Sequence, residues 1–151
     1  ILRTSWVFGE HGNNFVKTML RLGADRDELG VVCDQVGAPT SARGIAECCL
    51  RIANQLQEAT AYEDRWGIYH FCGYPYTSWH GFAEEIFTQA VIRGLLSKAP
   101  KVNAIASDQF ITLAKRPFNS QLDCSKLFNN FQIQPDDWPR QLSCCFIPST
   151  F

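Results

Sequence analysis

Hydrophobic and polar positions change period repeatedly along this chain, and each change predicts an element. The run Ile1-Leu2-Arg3-Thr4-Ser5-Trp6-Val7-Phe8 is apolar, aromatic and β-branched, and predicts a buried strand over 1–8. Gly9 to Asn14 is a loop whose closing asparagines suit a helix N-cap. Phe15, Met19 and Leu22 follow at i, i+4 and i+7, so a helix is expected to about Arg26. Leu29 to Cys33 predicts a short strand, and 34–39 a turn-rich loop. Thr40 or Ser41 caps a helix with the apolar stripe Ile45, Cys48, Cys49, Ile52 and Leu56. Beyond the polar stretch Gln57 to Arg65, Gly67 to Cys72 predicts another strand, and Thr77 or Ser78 caps a helix carrying Phe82, Ile86 and Ala90. Val102 to Ala106 reads as a strand and Ser107 to Ser120 as irregular chain. Asp123 caps a short helix with Leu127, Phe128 and Phe131, and Asp136 or Asp137 caps a last helix with Trp138, Leu142 and Cys145 on one face. Strands alternate with helices, which implies an α/β fold with a mostly parallel sheet.

Composition narrows this. The chain has 151 residues, 46% hydrophobic and 19% charged, which is a globular composition of single-domain length. It shows no repeat and no linker, so residues 1–151 read as one unit. A formal net charge of -1 argues against nucleic acid as a partner, because phosphate neutralisation needs a basic excess. No apolar run approaches the ~18 residues of a membrane span, so no membrane partner is expected. The seven cysteines are odd in number, include two adjacent pairs and contain no C-x-x-C. That disfavours zinc or a disulfide framework, and favours small buried hydrophobes in a reducing cytoplasm. The only methionine is Met19 and the first residues read like strand interior, so the chain is expected to be either processed or a piece of something larger.

The chemistry of the chain is incomplete by its own residues. It holds no G-x-G-x-x-G, no P-loop, no G-x-S-x-G and no Tyr-x-x-x-Lys, and His11, His70 and His80 have no metal-ligand spacing. No catalytic residue and no metal ligand is therefore expected within it. Two features suit binding. Trp6 lies near the carboxyl end of the first predicted strand, where α/β sheets bind ligands, and its flat face suits a sugar or base; a core role is the alternative. Arg116, in the polar run Lys115-Arg116-Pro117-Phe118-Asn119-Ser120, suits bidentate grip of a diphosphate; a solvated surface pair with Lys115 is the alternative.

Several runs carry a resemblance. They are Ile1 to Phe8, Gly12-Asn13-Asn14-Phe15-Val16-Lys17-Thr18-Met19-Leu20, Asp34-Gln35-x-Gly37-Ala38-Pro39-Thr40, Gly67-Ile68-Tyr69-His70-Phe71, Lys115-Arg116-Pro117-x-Asn119-Ser120-x-Leu122-Asp123, and Asp137-Trp138. In this order, and in register to about Leu142, the chain resembles the second half of the dTDP-4-dehydrorhamnose reductases, extended short-chain dehydrogenase/reductases. The resemblance implies the C-terminal part of a Rossmann-type doubly wound fold plus a small substrate-binding subdomain. It implies a dTDP-sugar substrate, reduction at its 4-keto group toward dTDP-L-rhamnose, and NADPH or NADH as cofactor. The glycine-rich turn and the Tyr-x-x-x-Lys pair would belong to an absent N-terminal half. Trp6, Arg116 and Asn119 would then contact substrate, and Thr4 and Ser5 would lie near the nicotinamide. Phe118 and Gln121 stand where the family commonly has histidine and arginine. A non-catalytic regulatory module like the regulatory subunit of methionine adenosyltransferase, or an inactive truncated relic, is the competing reading. Strand edges left open without a first half would favour a homo-oligomer.

Overall fold

The computed structural model describes residues 1–58, 65–110, 112, 114 and 116–146. The expected first strand is two short ones, β1 (Leu2–Arg3) and β2 (Val7–Phe8). Between them Trp6 adopts a left-handed backbone, φ 49°, which turns the chain away from its first partner. The expectation of one buried strand over 1–8 is thereby corrected: Phe8 is buried, whereas Ile1 and Val7 are exposed.

Helix α1 (Phe15–Asp25) begins where Asn14 accepts a hydrogen bond from the Lys17 amide. Its apolar stripe buries Val16 and Met19. Gly23 sits inside this helix because Phe87 approaches so closely that a Cβ would lie 2.5 Å from its ring. Strand β3 (Glu28–Val32) follows, then β4 (Val36–Gly37), β5 (Thr40–Ser41) and α2 (Ala42–Glu58). Ser41 caps α2 by accepting from the Gly44 amide at 2.8 Å. On α2, Cys48 is buried among Tyr69, Phe71 and Leu127, but Cys49 is exposed, so the expected stripe is one residue too wide. Residues 59–64 of the expected polar loop lie outside the described residues.

The expected strand over 67–72 shrinks to β6 (Tyr69–His70), whose length is set by the two-residue β1 that it pairs with. Next come β7 (Gly73–Tyr74), β8 (Thr77–Ser78), α3 (Trp79–Ile92), β9 (Lys101–Ile105), α4 (Ser125–Phe131), β10 (Asp136–Asp137) and α5 (Trp138–Cys145). Ser78 caps α3 and Asp137 caps α5, each accepting an amide three residues on. Among the described residues the strands form five two-stranded ladders, β1–β6, β2–β5, β3–β9, β7–β10 and β4–β8, and only the last is antiparallel. The parallel character is as expected, but the described strands do not join into one sheet.

The main core packs α1 and α3 on β3, with Phe8, Met19, Leu29, Phe82, Ile86 and Leu142 at its centre. A second core lies under α2 and α4 against β6. Burying such side chains, about 1.5–3 kcal/mol each, holds these layers together. All seven cysteines are free; Cys48, Cys72 and Cys124 are buried, but Cys33, Cys49 and Cys144 are exposed, which corrects the expectation that all fill the core. Burial pushes the Cys48 thiol up to about 12, so it is inert at neutral pH. Among the described residues, no helix is long and apolar enough to cross a membrane.

Candidate functional site

The turn after β3 governs the site. Asp34 accepts hydrogen bonds from the Ser107 amide on both carboxylate oxygens, at 3.1 and 3.0 Å, and from the Ser107 hydroxyl. These bonds hold its carboxyl below the usual aspartate range. Gln35 donates to the Ser107 hydroxyl at 3.0 Å. One residue on, the Val36 amide donates to the Phe118 carbonyl and the Ser120 amide donates to the Val36 carbonyl, both at 2.8 Å. Residues 34–36 therefore fasten both ends of an arm that runs from Ser107 to Ser120.

Between this arm, α1 and β3 lies a cavity of about 930 Å³. Its wall is largely apolar, with Phe15, Met19 and Leu22 from α1, and Leu29, Val31 and Val32 from β3. The arm contributes Phe110, Phe118, Asp108 and Arg116; Trp79, the first residue of α3, and Arg26, just past α1, also line it. The apolar walls can take a ring, and the guanidinium groups can take a phosphate or carboxylate.

The expected residues fall in different places. Arg116 lines the cavity and is exposed; Lys115 lies outside the described residues. Asn119 is exposed on the arm, its side-chain oxygen accepting from the Gln121 amide at 2.9 Å. Trp6 stands behind the cavity wall. Its ring stacks on Trp79 at 3.7 Å between centroids and 11° between planes, and its indole donates to the Ser120 hydroxyl at 3.1 Å. Gly37 lies so close that a Cβ there would fall 2.6 Å from the Trp6 ring. Thr4 is exposed, and the buried Ser5 hydroxyl has no hydrogen-bond partner. His70 meets the Asp123 carbonyl at 3.3 Å, in keeping with a hydrogen-bonded rather than a ligating histidine.

Sequence reasoning passed over Trp79, Asp34 and Arg26. A signal for Trp79 was present: Thr77-Ser78-Trp79 repeats Thr4-Ser5-Trp6. Asp34 opens the run Asp34-Gln35-x-Gly37-Ala38-Pro39-Thr40, but nothing local points to Ser107 as its partner.

Likeness to known proteins assigns this α/β unit to a family. The chain belongs to the RmlD substrate binding domain family, whose model matches residues 1–149. The dTDP-4-dehydrorhamnose reductase of Aggregatibacter actinomycetemcomitans is 53% identical over 142 residues, which are 94% of this chain and 48% of that protein. Among solved structures, a dTDP-4-dehydrorhamnose reductase from Clostridium acetobutylicum matches with a TM-score of 0.80 and 35% identity, over 95% of this chain and 46% of that one. The Bacillus anthracis reductase, solved in complex with NADP, matches with a TM-score of 0.76 and 34% identity, over 98% of this chain and 47% of that one. The chain thus spans about half the length of the relatives that it matches. The α/β, Rossmann-related fold and the resemblance to these reductases are borne out.

Proposed function

We propose that this chain is the sugar-nucleotide-binding half of a reductase that converts the 4-keto group of a dTDP-linked 6-deoxyhexose to the alcohol of dTDP-L-rhamnose. The observation that carries this reading is the cavity of about 930 Å³, with an aromatic and aliphatic wall and Arg116 on the fastened arm. Arg116 grips the diphosphate and Asn119 reaches the same ligand from the arm. Trp79 presents an aromatic surface to base or sugar, and Trp6 acts with it as one stacked pair.

The first half supplies the dinucleotide cradle and the proton donor, neither of which has a motif in these residues. Thr4 and Ser5 border the nicotinamide end; the unpartnered Ser5 hydroxyl fits a polar ligand group there. NADPH or NADH, when bound, supplies the hydride.

The test joins this chain to the first half of the Aggregatibacter relative and follows nicotinamide oxidation with the dTDP-4-keto sugar. The joined protein is expected to turn over. Arg116→Ala is expected to raise KM about 10–100-fold, since a hydrogen bond to a charged group contributes about 1.5–3 kcal/mol. A folded but inactive joined protein, or an unchanged KM in the variant, overturns the proposal.

A further inference from the structure

Cys72 and Cys124 are 52 residues apart in sequence, yet their sulfurs lie 3.6 Å apart. Both are buried, in a small cluster with Ala38 and Leu122. Both thiols point at the Leu122 carbonyl, each at 3.6 Å, and the Tyr76 hydroxyl donates to that same carbonyl at 2.9 Å. Cys72 follows β6. Cys124 ends the segment that leads from the arm into α4. The other five cysteines do not share this arrangement: Cys33, Cys49 and Cys144 are exposed, Cys48 sits in a different core cluster, and Cys145 is half-buried against the main core.

We propose that Cys72 and Cys124 are an oxidisable dithiol, which a peroxide converts to a disulfide that ties the root of the 107–120 arm to the β6–β7 segment. A disulfide needs the sulfurs about 2.05 Å apart, so an approach of roughly 1.5 Å closes the gap. In the first step one sulfur, as thiolate, attacks a peroxide oxygen. The O–O bond breaks, giving a sulfenic acid and hydroxide, which takes up the proton the thiol released. In the second step the other sulfur displaces hydroxide from the sulfenic sulfur, and its own proton completes a second water. Two electrons leave the sulfur pair and reduce one hydrogen peroxide to two waters. The shared S–H···S contact suits this order: it favours the thiolate at Cys124, while the same contact, together with burial, pushes Cys72 up.

The test uses the 151-residue chain and hydrogen peroxide. After oxidation, free thiols are alkylated in denaturant, and the digest is mapped by mass spectrometry before and after reduction. The expected result is a cross-linked pair of peptides containing Cys72 and Cys124, two hydrogens lighter than their sum and released by dithiothreitol. A second chain, with Cys33, Cys49 and Cys144 replaced by serine, is expected to lose two titratable thiols per molecule and remain monomeric in non-reducing electrophoresis. Cys72→Ser is expected to abolish the cross-link. Recovery of both cysteines as alkylated thiols, or of cross-links that join either one to another cysteine instead, overturns the proposal. The readout does not depend on catalysis, so it stands or falls apart from the reductase reading.

Discussion

Trp6 occupies a backbone conformation that costs a non-glycine residue about 1–2 kcal/mol. Its surroundings offset that cost: the stack on Trp79, the indole hydrogen bond to Ser120, and its carbonyl accepting from the Thr40 amide at 3.1 Å. The sequence pointed to Trp6 by its place and its aromaticity. It could not show that one ring face is taken by Trp79, because that contact joins residues 73 apart. The two tryptophans therefore differ in what their loss should do. In the joined protein, Trp79→Ala is expected to weaken dTDP-sugar binding by about 1–3 kcal/mol, the worth of an aromatic packing surface. Trp6→Ala is expected to weaken binding and also lower the melting temperature, because it removes the support behind Trp79. Trp66, 70% exposed, is the control, and its alanine variant should change neither. Calorimetric titration with a dTDP-sugar beside thermal melts separates these outcomes, and full affinity in Trp79→Ala refutes the assignment.

Four helix starts were readable because a cap is a local event; the expected Asp123 cap of α4 was not met, since that helix follows Cys124 with no side-chain cap and Asp123 accepts from the Ser125 amide instead. Asn14, Ser41, Ser78 and Asp137 each accept an amide three residues on, as their positions ahead of apolar stripes implied. Strand ends were not readable, because pairing depends on a distant partner; β1 and β6 stop together after two residues. The arm is the same lesson in a loop. Its sequence reads as irregular, whereas the structure opens it with a short 3-10 turn at Ser107–Gln109 and fixes it at both ends by 34–36. Asp34→Ala should free the end at Ser107. In hydrogen-exchange measurements the Ser107 amide is expected to exchange at least tenfold faster, with the β3–β9 amides unchanged. The pH dependence has a definite sign. Because Asp34 is lowered in the fold, its contribution is complete above the unfolded value near 3.8 and is lost as pH falls through the lower folded value. The wild-type arm should therefore loosen at acid pH with a step that Asp34→Ala lacks. An Asp34→Ala arm as protected as the wild type would show that the fastening lies elsewhere.

The arrangement of ladders bears on how the chain behaves in solution. Each described ladder has two strands, so apart from β4, whose Val36 also bridges to Asn119, these strands pair on one side only. A free strand edge is a template for pairing with another chain unless something covers it. Large apolar side chains are exposed as well: Ile1 at 82%, Ile92 at 78%, Trp66 at 70% and Leu50 at 64%. The formal net charge of -1 gives little electrostatic repulsion to keep copies apart. These three conditions act in the same direction. The purified 151-residue chain is expected to elute above its monomer mass in size-exclusion chromatography, increasingly so with concentration, and to enhance the fluorescence of an apolar dye such as ANS. Joining it to the first half of the Aggregatibacter relative should reduce the dye signal, since a preceding half would pair with β1 or cover the ends of the β1–β6 ladder. An isolated chain that elutes as a concentration-independent monomer and leaves the dye dark would show that the edges are covered by the chain itself. Equal dye binding with and without the added half would place the apolar surface away from that junction, with Ile92 and Leu50 the first positions to replace by lysine.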